Sequence, residues 1–512
     1  MTTVKDKMLP RFKAKIDYET CIKCGRCGEN CTYDAIIFNR DEDMPIVKST
    51  GNCVACQRCV TFCPVDAIAI TPYPVEFAPH GTWTPYHIRG VMEQARTGAV
   101  LLSGMGNDRP FPMVFDNLVW DACQVTNPAI DSLREPVETR TYIGRKPKNL
   151  SITKNRGKFA LEDLPANVGI STPLIIGHMS LGSVSYNAIT AMYRAVEDVG
   201  TMMGTGEGGL HKDHYVYRDN LIGEVASGRF GVNPDYLKLG AIEIKIGQGA
   251  KPGHGGQLPG EKVTQLISDT RGIPLGTDAL SPNPQHDIYS IEDLKTLIAA
   301  LHEATEYQSP VGVKIAAVNN VAAIASGIVR AGADFMTIDG FRGGTGAAPR
   351  VIRDNAGIPI ELAIASVDQH LRNEKIRHKV TIIAGGGLRS SSDLIKVIAL
   401  GADVGNIGTS ALIALGCKVC QQCPTGKCSW GIATGNPVLA NRIDIDWGAQ
   451  RVSNLLRGWT HDLSEVLGTM GIDAVESLVG NRDRLRYVGP NPREAEILGV
   501  KHAGERIGTG GE

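Results

Sequence analysis

Four cysteines lie close together in the segment GCKVCQQCPTGKCSWGIAT, which follows a helical run, SALIALG. Four thiols within twelve residues are typical of a metal site. These residues, here named the C-terminal quartet, are Cys417, Cys420, Cys423 and Cys428. A glycine-rich α/β pattern suited to a phosphorylated cofactor lies just upstream. We therefore expect redox chemistry, with electrons that enter at the N-terminus and end at this quartet.

Two further quartets near the N-terminus repeat the pattern CxxCxxCxxxC. This is the spacing of bacterial two-cluster ferredoxins, in which the last cysteine of each run binds the other cluster. Two 4Fe-4S clusters are expected, the first held by Cys21, Cys24, Cys27 and Cys63 and the second by Cys31, Cys53, Cys56 and Cys59. Zinc also uses such cysteine pairs, but eight cysteines in this doubled spacing favour iron. A two-cluster ferredoxin-like domain is predicted at residues 1–75.

The two N-terminal runs are followed by matching tails, TYDAIIF and PVDAIAI, which indicate an internal duplication with pseudo-two-fold symmetry. Each tail is expected to begin as a short helical turn and to end as a strand. The first repeat lacks the proline of the ferredoxin pattern, because Thr32 follows Cys31 whereas Pro64 follows Cys63. This departure should not remove a cluster.

Charge and composition exclude several classes of protein. The 53 Lys and Arg residues balance 54 Asp and Glu residues, which argues against a nucleic-acid or membrane-surface partner. Twelve of the thirteen cysteines lie in the three quartets, unlike a secreted disulfide framework. The chain start has no apolar leader, and no run of about 18 apolar residues occurs. A cytoplasmic location is expected.

Alternating strands and helices fill residues 171–480 and predict a parallel sheet that closes into a β/α barrel. Residues 76–170 are interpreted as a linker and a barrel-packing extension, and residues 481–512 as a C-terminal tail. The late strands end in glycine clusters, as in barrels that bind phosphate after strands seven and eight. The two halves of this expected phosphate site are Ala384–Gly387, leading to Ser390, and Gly405–Ser410.

The segment GAIEIKIGQGAKPGHGGQLPGEKV, residues 240–263, combines five glycines between Gly247 and Gly256 with polar side chains. Those side chains are Gln248, Lys251, His254 and Gln257. Lys251 and the later Arg271 together could clamp a dicarboxylate, with Arg in a bidentate geometry. Further on, Ser290 is a predicted helix N-cap with Asp293 at the capping-box position.

Between about residues 83 and 440 the chain resembles the synthase portion of glutamate synthases, of the archaeal type that carries its own ferredoxin module. The stretches that carry the resemblance are LREPVETR, HMSLGSVS, GTGEGG, QGAKPGHGGQLPG, SPNPQHDIYSIEDL, GFRGGTGAAP, AGGGLRSSSD, GNIGTSALIALGC and the C-terminal quartet with GIAT behind it. The resemblance implies an FMN-binding β/α barrel with an iron–sulfur cluster beside the flavin.

The resemblance also implies roles for individual residues. The implied FMN contacts are Met179, Ser180, Lys314, Gly344, Thr345, Gly386, Gly387, Gly408 and Thr409. Gln248, Lys251 and Arg271 match 2-oxoglutarate ligands. Lys314 would also stabilise negative charge on reduced flavin, and Glu207 would polarise ammonia or control its access.

The chain departs from the family pattern in three places. His254 stands where the family usually has Glu, so a relay role there is in doubt. Cys417, Cys423 and Cys428 reproduce the spacing of a 3Fe-4S site, and Cys420 is an extra cysteine that could complete a 4Fe-4S cluster. The chain begins Met1-Thr2-Thr3 and so lacks the N-terminal cysteine of the family's glutaminase domain. Ammonia is expected from another polypeptide or from solution.

The resemblance implies reductive amination of 2-oxoglutarate by ammonia to give L-glutamate, with reduced FMN as the hydride donor. The expected partners are a glutaminase subunit, and either a reductase that uses NADPH or a ferredoxin; an oligomer is also expected. Two alternatives remain: an N-methylglutamate synthase-type subunit with the same barrel, and a non-catalytic subunit in which FMN only relays electrons.

The three quartets generate a prediction about metal content. Anaerobically purified protein should contain roughly 11 or 12 iron atoms per chain, from two 4Fe-4S clusters and a third cluster with three or four irons. Iron and zinc analysis measures this directly, and bound zinc with little iron would contradict it. In Cys420→Ser, a 3Fe-4S centre would keep its electron paramagnetic resonance signature, whereas a 4Fe-4S centre would change.

Overall fold

A computed structural model of the chain describes residues 10–73, 77–78, 81–123, 128–147, 151–155, 157–162, 164–258, 260–283 and 285–505. Met1–Thr3, on which the expectation about a missing glutaminase partly depended, and residues 506–512 of the predicted tail lie outside the described residues. Within the described ranges, no helix is both long and apolar enough to cross a membrane.

The N-terminal quartets lie in a small module with two helices and two antiparallel strand pairs. Its elements are β1 (Phe12–Ile16), α1 (Arg26–Asn30), β2 (Ile36–Asn39), β3 (Met44–Val47), α2 (Arg58–Thr61) and β4 (Ile68–Pro72). β1 pairs with β4 and β2 pairs with β3. Each tail ends as a strand, as predicted. The prediction that each tail begins with a helical turn is wrong, because the short helices lie within the cysteine runs and the tails begin in non-helical turns. The core of the module is small, so bound clusters would add much of its stability.

The segment after the module packs along the barrel. Its elements are α3 (Pro85–Thr97), β5 (Leu102–Ser103), β6 (Leu118–Trp120), β7 (Thr141–Gly144), β8 (Ser151–Asn155), β9 (Lys158–Glu162) and β10 (Asn167–Ile170). β7 and β10 form an antiparallel ribbon. Ile143 and Ile170 of this ribbon pack against Ile175, Phe335 and other apolar residues of the barrel strands. The ribbon therefore covers the amino-terminal end of the barrel.

Eight parallel strands close into the barrel that the sequence predicts. The strands of this region are β11 (Leu174–Ile176), β12 (Met203–Gly204), β13 (Leu221–Val225), β14 (Ala241–Lys245), β15 (Gln257–Leu258), β16 (Ala279–Leu280), β17 (Val311–Ala316), β18 (Phe335–Asp339), β19 (Ala348–Pro349), β20 (Thr381–Gly385) and β21 (Val404–Ile407). The barrel order is β11-β12-β13-β14-β17-β18-β20-β21, and β21 pairs back onto β11. β20 and β21 are thus strands seven and eight, and both predicted glycine clusters follow them.

Helices alternate with the strands and bury an apolar face against them. They are α4 (Tyr186–Val199), α5 (Gln265–Arg271), α6 (Ile291–Ala304), α7 (Val321–Ala331), α8 (Arg350–Arg353), α9 (Ile360–Asn373), α10 (Ser391–Leu400), α11 (Thr409–Ala414) and α12 (Pro437–Ala440). Ser290 caps α6 as predicted, because its Oγ accepts the N–H of Asp293 at 3.1 Å. The Asp293 carboxylate accepts the N–H of Tyr289 at 3.0 Å, one residue before the position that a capping box predicts.

The C-terminal segment returns to the barrel wall through α13 (Ile445–Thr469), β22 (Leu485–Tyr487), α14 (Pro492–Leu498) and β23 (Lys501–His502). β22 pairs with β6 on one side and with β23 on the other. Short 3-10 turns occupy Thr50–Asn52, Val114–Asn117, Lys212–Asn220, Tyr236–Lys238, Gly260–Lys262, Arg377–Lys379, Cys423–Thr425, Val475–Ser477 and Arg482–Arg484. Leu485, Tyr487 and Leu498 are buried, so the described part of the predicted tail is packed structure.

Candidate active site

One cavity of about 250 Å³ lies at the carboxyl ends of the barrel strands, where β/α barrels carry their active sites. Every residue that the sequence singles out for catalysis or for the flavin lines it, namely Met179, Ser180, Glu207, Gln248, Lys251, Arg271, Lys314, Gly344, Thr345, Gly386, Gly387, Gly408 and Thr409. The four cysteines of the C-terminal quartet reach the same cavity. The individual roles of these residues stay predictions, but their convergence is a property of the fold.

The glycines after β20 leave bare backbone at the cavity wall. Gly386 and Gly387 have φ angles of 113° and 100°, a region that side chains other than glycine rarely adopt. A Cβ on Gly386 would lie 2.5 Å from the Gly340 nitrogen, and one on Gly387 would lie 2.8 Å from the Arg342 Cβ. Both conformation and space therefore require glycine, and the peptide groups stay accessible to a ligand.

Asn406 lies on β21, the last barrel strand, and faces the backbone at the ends of its two neighbours, β11 and β20. A Cβ on Gly177 would lie 2.6 Å from the Asn406 Oδ1, and a Cβ on Gly385 would lie 3.1 Å from its Nδ2. The Oδ1 atom is buried and has no hydrogen-bond partner among the described residues. A buried acceptor without a donor is costly, so a ligand N–H at this wall would relieve it. Sequence reasoning missed Asn406, although a polar residue in an apolar strand was a signal.

Arg271 ends α5 and is only 6% exposed. Its Nη2 donates to Ser180 Oγ and to the Leu181 carbonyl oxygen, both at 3.3 Å, while its buried Nε has no partner in the described chain. Burial lowers the pKa of the guanidinium, and the charge of Glu207 opposes that effect. A Cβ on Gly208 would lie 2.9 Å from Arg271 Cζ, so this glycine makes room for the guanidinium.

Lys251 is 4% exposed and forms no ion pair with the described residues. Burial and the nearby charge of Lys245 lower the pKa of Lys251 to about 8, against an opposing effect of Glu207. Its loop is anchored by the Gly249 N–H, which donates to Asp339 Oδ2 at 2.7 Å. Lys251 is therefore a buried cation at neutral pH with an unused charge.

The other two lysines of the cavity are paired. Lys245 Nζ lies 3.0 Å from Glu224 Oε1 and 3.3 Å from Glu207 Oε2, and Lys314 Nζ lies 3.3 Å from Glu224 Oε2. Burial opposes ionisation of Glu224, but the two lysines outweigh it and hold its pKa below the usual range. Burial likewise opposes the charge of Lys245, yet Glu224 and Glu207 raise its pKa. These two lysines cannot serve an anionic ligand as freely as Lys251.

A buried histidine extends this ion-pair network. His178 Nδ1 accepts the Gly206 N–H at 3.2 Å, and its Nε2 lies 2.7 Å from Glu243 Oε2. His178, Glu224 and Glu243 are close enough to hold a metal ion. The two ammonium groups on Glu224 would repel one, so we interpret the three side chains as part of the network. Sequence reasoning missed them, although Glu in the apolar strands LIGEV and AIEIK was a signal.

The segment before the barrel supplies another wall of the cavity, which its interpretation as a linker and packing extension did not foresee. Met105 lines the cavity with a φ of 63°, and its N–H donates to the Thr345 carbonyl oxygen at 2.9 Å. The Gly104 N–H donates to the Gln421 carbonyl oxygen at 3.0 Å. A Cβ on Gly104 would lie 2.8 Å from Cys423 Sγ. The segment therefore lies between the C-terminal quartet and the glycines of the cavity wall, Gly344, Gly386 and Gly387, here named the glycine cradle.

The N-terminal module contacts the segment that carries the C-terminal quartet. Cys56 Sγ lies 3.4 Å from the hydroxyl of Ser429, the residue after Cys428. Tyr33 of the module also lines the main cavity. The N-terminal module thus packs against the segment whose cysteines reach the cavity, an arrangement that defines an iron–sulfur oxidoreductase built on a β/α barrel.

Comparison with known proteins identifies the family. The model for the conserved region in glutamate synthase matches residues 109–473, and that for a 4Fe-4S dicluster domain matches residues 14–70. The chain is 55% identical to the archaeal-type glutamate synthase (NADPH) of Thermotoga maritima over 98% of this chain and 99% of that protein. It is 54% identical to the archaeal glutamate synthase (NADPH) of Methanocaldococcus jannaschii over 97% and 99%. The chain therefore belongs to the glutamate synthase family of oxidoreductases.

A more distant relative is matched over only part of its length. The large chain of the glutamate synthase (NADPH) of Azospirillum brasilense is 34% identical over 68% of this chain, but the match covers 24% of that protein. The family matches confirm the glutamate synthase family and the ferredoxin module that the sequence predicts, and the strand topology confirms the barrel.

Proposed function

We propose that this chain catalyses the reductive amination of 2-oxoglutarate with ammonia to L-glutamate, using bound FMN and iron–sulfur clusters. The observation that carries the proposal is the single cavity in which two buried cations without ion-pair partners among the described residues, Lys251 and Arg271, face a glycine cradle and a cysteine quartet. A subunit that only relayed electrons would have no use for two such cations.

The residues of the cavity fit a flavin mononucleotide. The bare backbone of Gly344, Gly386 and Gly387 leaves room for a flat ring and offers peptide N–H groups, and the unpaired Asn406 Oδ1 suits a ring N–H. Gly408, at the start of α11, has no atom within 4 Å of its missing Cβ and would leave room for the phosphate. Met179, Ser180, Thr345 and Thr409 would complete the contacts.

Lys251 and Arg271 would bind the two carboxylates of 2-oxoglutarate, with Gln248 as a further donor. Charge-assisted hydrogen bonds to carboxylates are the strongest that side chains make, and guanidinium allows a bidentate pair. Fixing both ends of a five-carbon diacid leaves its keto carbon in one position. Such positioning accounts for much of the acceleration in reactions of this kind.

Ammonia would attack the keto carbon, water would leave, and FMN would supply the hydride that converts the resulting imine to the amine. The carboxylate of Glu207 is held by Lys245 at 3.3 Å and by the Ser281 hydroxyl. It would accept a hydrogen bond from ammonia and stabilise a protonated imine nitrogen. Lys314, a fixed cation at the cavity wall, would stabilise negative charge on the reduced flavin.

The ammonia would come from a separate glutaminase. Amide hydrolysis by a cysteine of this chain is not favoured, because nearly all of its cysteines are assigned to iron. Twelve of the thirteen cysteines lie in the quartets. Cys123, in the segment before the barrel, donates its N–H to the carbonyl oxygen of Thr469 in α13 at 2.8 Å. Electrons would reach the N-terminal clusters from a reductase that uses NADPH or from a ferredoxin.

Replacement of Arg271 tests the substrate clamp. Arg271→Ala removes a charge-assisted contact worth about 1.5 to 3 kcal/mol, and should raise the KM for 2-oxoglutarate about 10- to 150-fold. Arg271→Lys keeps the charge but loses the planar guanidinium, so its KM should lie between those of Arg271→Ala and the wild type. Flavin content, measured by absorbance after extraction, should not change. Loss of FMN with an unaltered KM would assign Arg271 to the flavin instead.

The nitrogen source tests the division of labour. Holoprotein reduced with dithionite should form glutamate from 2-oxoglutarate and ammonium, but not from 2-oxoglutarate and glutamine. A separate glutaminase subunit should restore the use of glutamine, since a docked partner delivers ammonia at high local concentration. Amino-acid analysis of each mixture gives the result. Rapid glutamate formation from glutamine by the purified chain alone would overturn the proposal of a separate glutaminase.

A further inference from the structure

One sequence difference between the two ferredoxin repeats lies at the contact between the module and the barrel. Thr32 follows Cys31 at the position where Pro64 follows Cys63 in the other repeat. Proline has neither an N–H nor a hydroxyl group, so only the Thr32 end of the module offers a hydrogen-bonding side chain here. In the structure that end faces the barrel.

Thr32 binds the chain on both sides of Cys428. Its Oγ1 donates to the Lys427 carbonyl oxygen at 2.7 Å, and Thr32 Oγ1 also lies 2.7 Å from Ser429 Oγ. Because the only hydroxyl proton of Thr32 goes to Lys427, Ser429 must be the donor when the two hydroxyls bond. One side chain of the module thus holds the residues on either side of a C-terminal quartet cysteine.

Ser429 joins this contact to a second cysteine of the module. It is 2% exposed, and Cys56 Sγ lies 3.4 Å from its Oγ. An iron-bound thiolate carries no proton, so Cys56 could then only accept a hydrogen bond, and the single proton of Ser429 would be shared between Cys56 and Thr32. Cys31, next to Thr32, and Cys56 both belong to the predicted second cluster.

The surrounding contacts keep this arrangement in register. The Trp430 indole N–H donates to the Cys56 carbonyl oxygen at 2.8 Å. Arg442 donates to the Ser429 carbonyl oxygen at 2.9 Å and to the Glu29 carbonyl oxygen at 3.0 Å, so a cation lies near the carboxyl end of α1, where a helix favours it. The guanidinium of Arg58 lies 5.2 Å from the centre of the Trp430 ring.

We propose that Thr32 and Ser429 are positioning residues that hold the second cluster of the module against the C-terminal quartet and thereby set the rate of electron transfer into the barrel. In each transfer one electron leaves iron held by Cys31, Cys53, Cys56 and Cys59 and reduces iron held by the C-terminal quartet. The electron comes from an external one-electron donor by way of the first cluster. This inference rests on the proposed function in that the three quartets must bind iron.

The other end of the module is consistent with this order. Cys24 of the first cluster is exposed, and the neighbouring Ile22 is 59% exposed. Pro64, at the position equivalent to Thr32, is also exposed. The pseudo-two-fold module therefore has one end that faces solvent and one end that the hydroxyl contact fixes to the barrel.

The experiment uses anaerobic holoprotein and reduced bacterial-type ferredoxin as the electron donor. The variants are Thr32→Pro, which puts proline after the last cysteine of both runs, Thr32→Ser, which keeps the hydroxyl, and Ser429→Ala, on the barrel side. Pro64→Thr is the matched control, because it introduces threonine at the exposed end. Iron content, stopped-flow loss of oxidised-flavin absorbance, and electron paramagnetic resonance of the reduced clusters are measured for each.

Thr32→Pro and Ser429→Ala should keep their iron but reduce the flavin more slowly, by a factor of about five or more. One lost hydrogen bond is expected to change the population of the docked arrangement by about this factor. Magnetic coupling between the second cluster and the C-terminal cluster should weaken. Ser429→Ala should also lower the reduction potential of the second cluster, to which Cys56 belongs, since hydrogen bonds to cluster sulfur stabilise the reduced state. Thr32→Ser should restore the rate, and Pro64→Thr should leave it unchanged.

Wild-type flavin reduction rates and unchanged magnetic coupling in Ser429→Ala would overturn the inference, whatever the fate of Thr32→Pro. A rate loss in Pro64→Thr as large as that in Thr32→Pro would also overturn it, because the contact would then not be specific to the barrel end. Iron and flavin content of the wild type test the proposed function separately, since neither depends on the Thr32 contact.

Discussion

Charge balance inside the barrel governs where the groups of the active site lie. Strands from separate parts of the chain bury Glu224, Lys245 and Lys314 together at one end of the cavity, where each ion is tolerated only because it has a partner at about 3 Å. Glu207 takes part of the charge of Lys245. Once these pairs have formed, the buried cations of the cavity that have no ion-pair partner among the described residues are Lys251 and Arg271. Their position next to bare glycine backbone makes the cavity suited to an anionic substrate beside a flat cofactor.

Under the proposed function, the same end of the barrel also receives the electrons. Residues before the barrel, around Met105, lie between the glycine cradle and the C-terminal quartet, and the N-terminal module packs on the outer side of that quartet. A close approach is possible because Gly104 makes room for Cys423. The two buried cations, the glycine backbone and the C-terminal quartet therefore line one cavity. Under the proposed function, a change in the docking of the module should alter electron supply without altering substrate binding.

Much of this assembly could be predicted from the sequence because its signals are local. Cysteine spacing indicates clusters, alternating apolar segments indicate the barrel, and consecutive glycines after strands seven and eight indicate a cradle. Contacts between distant segments left no comparable signal. Nothing near Glu224 in sequence reveals its pairing with Lys245 and Lys314, since strand closure brings the three together. Likewise Thr32 reads as a minor variation of a ferredoxin repeat, and only the docked structure explains it through Ser429.

The most direct test of this account is the pH dependence of 2-oxoglutarate binding to the oxidised holoprotein, measured by calorimetry. Lys251 has a pKa lowered to about 8 by burial and by Lys245, so its charge is present below that pH and is lost above it. Between about pH 7 and pH 9 the Kd should rise about tenfold in the wild type and stay nearly constant in Lys251→Arg, whose guanidinium remains charged. A wild-type Kd that is constant over this range, or the same slope in Lys251→Arg, would contradict the role of Lys251 as the buried cation that binds the substrate.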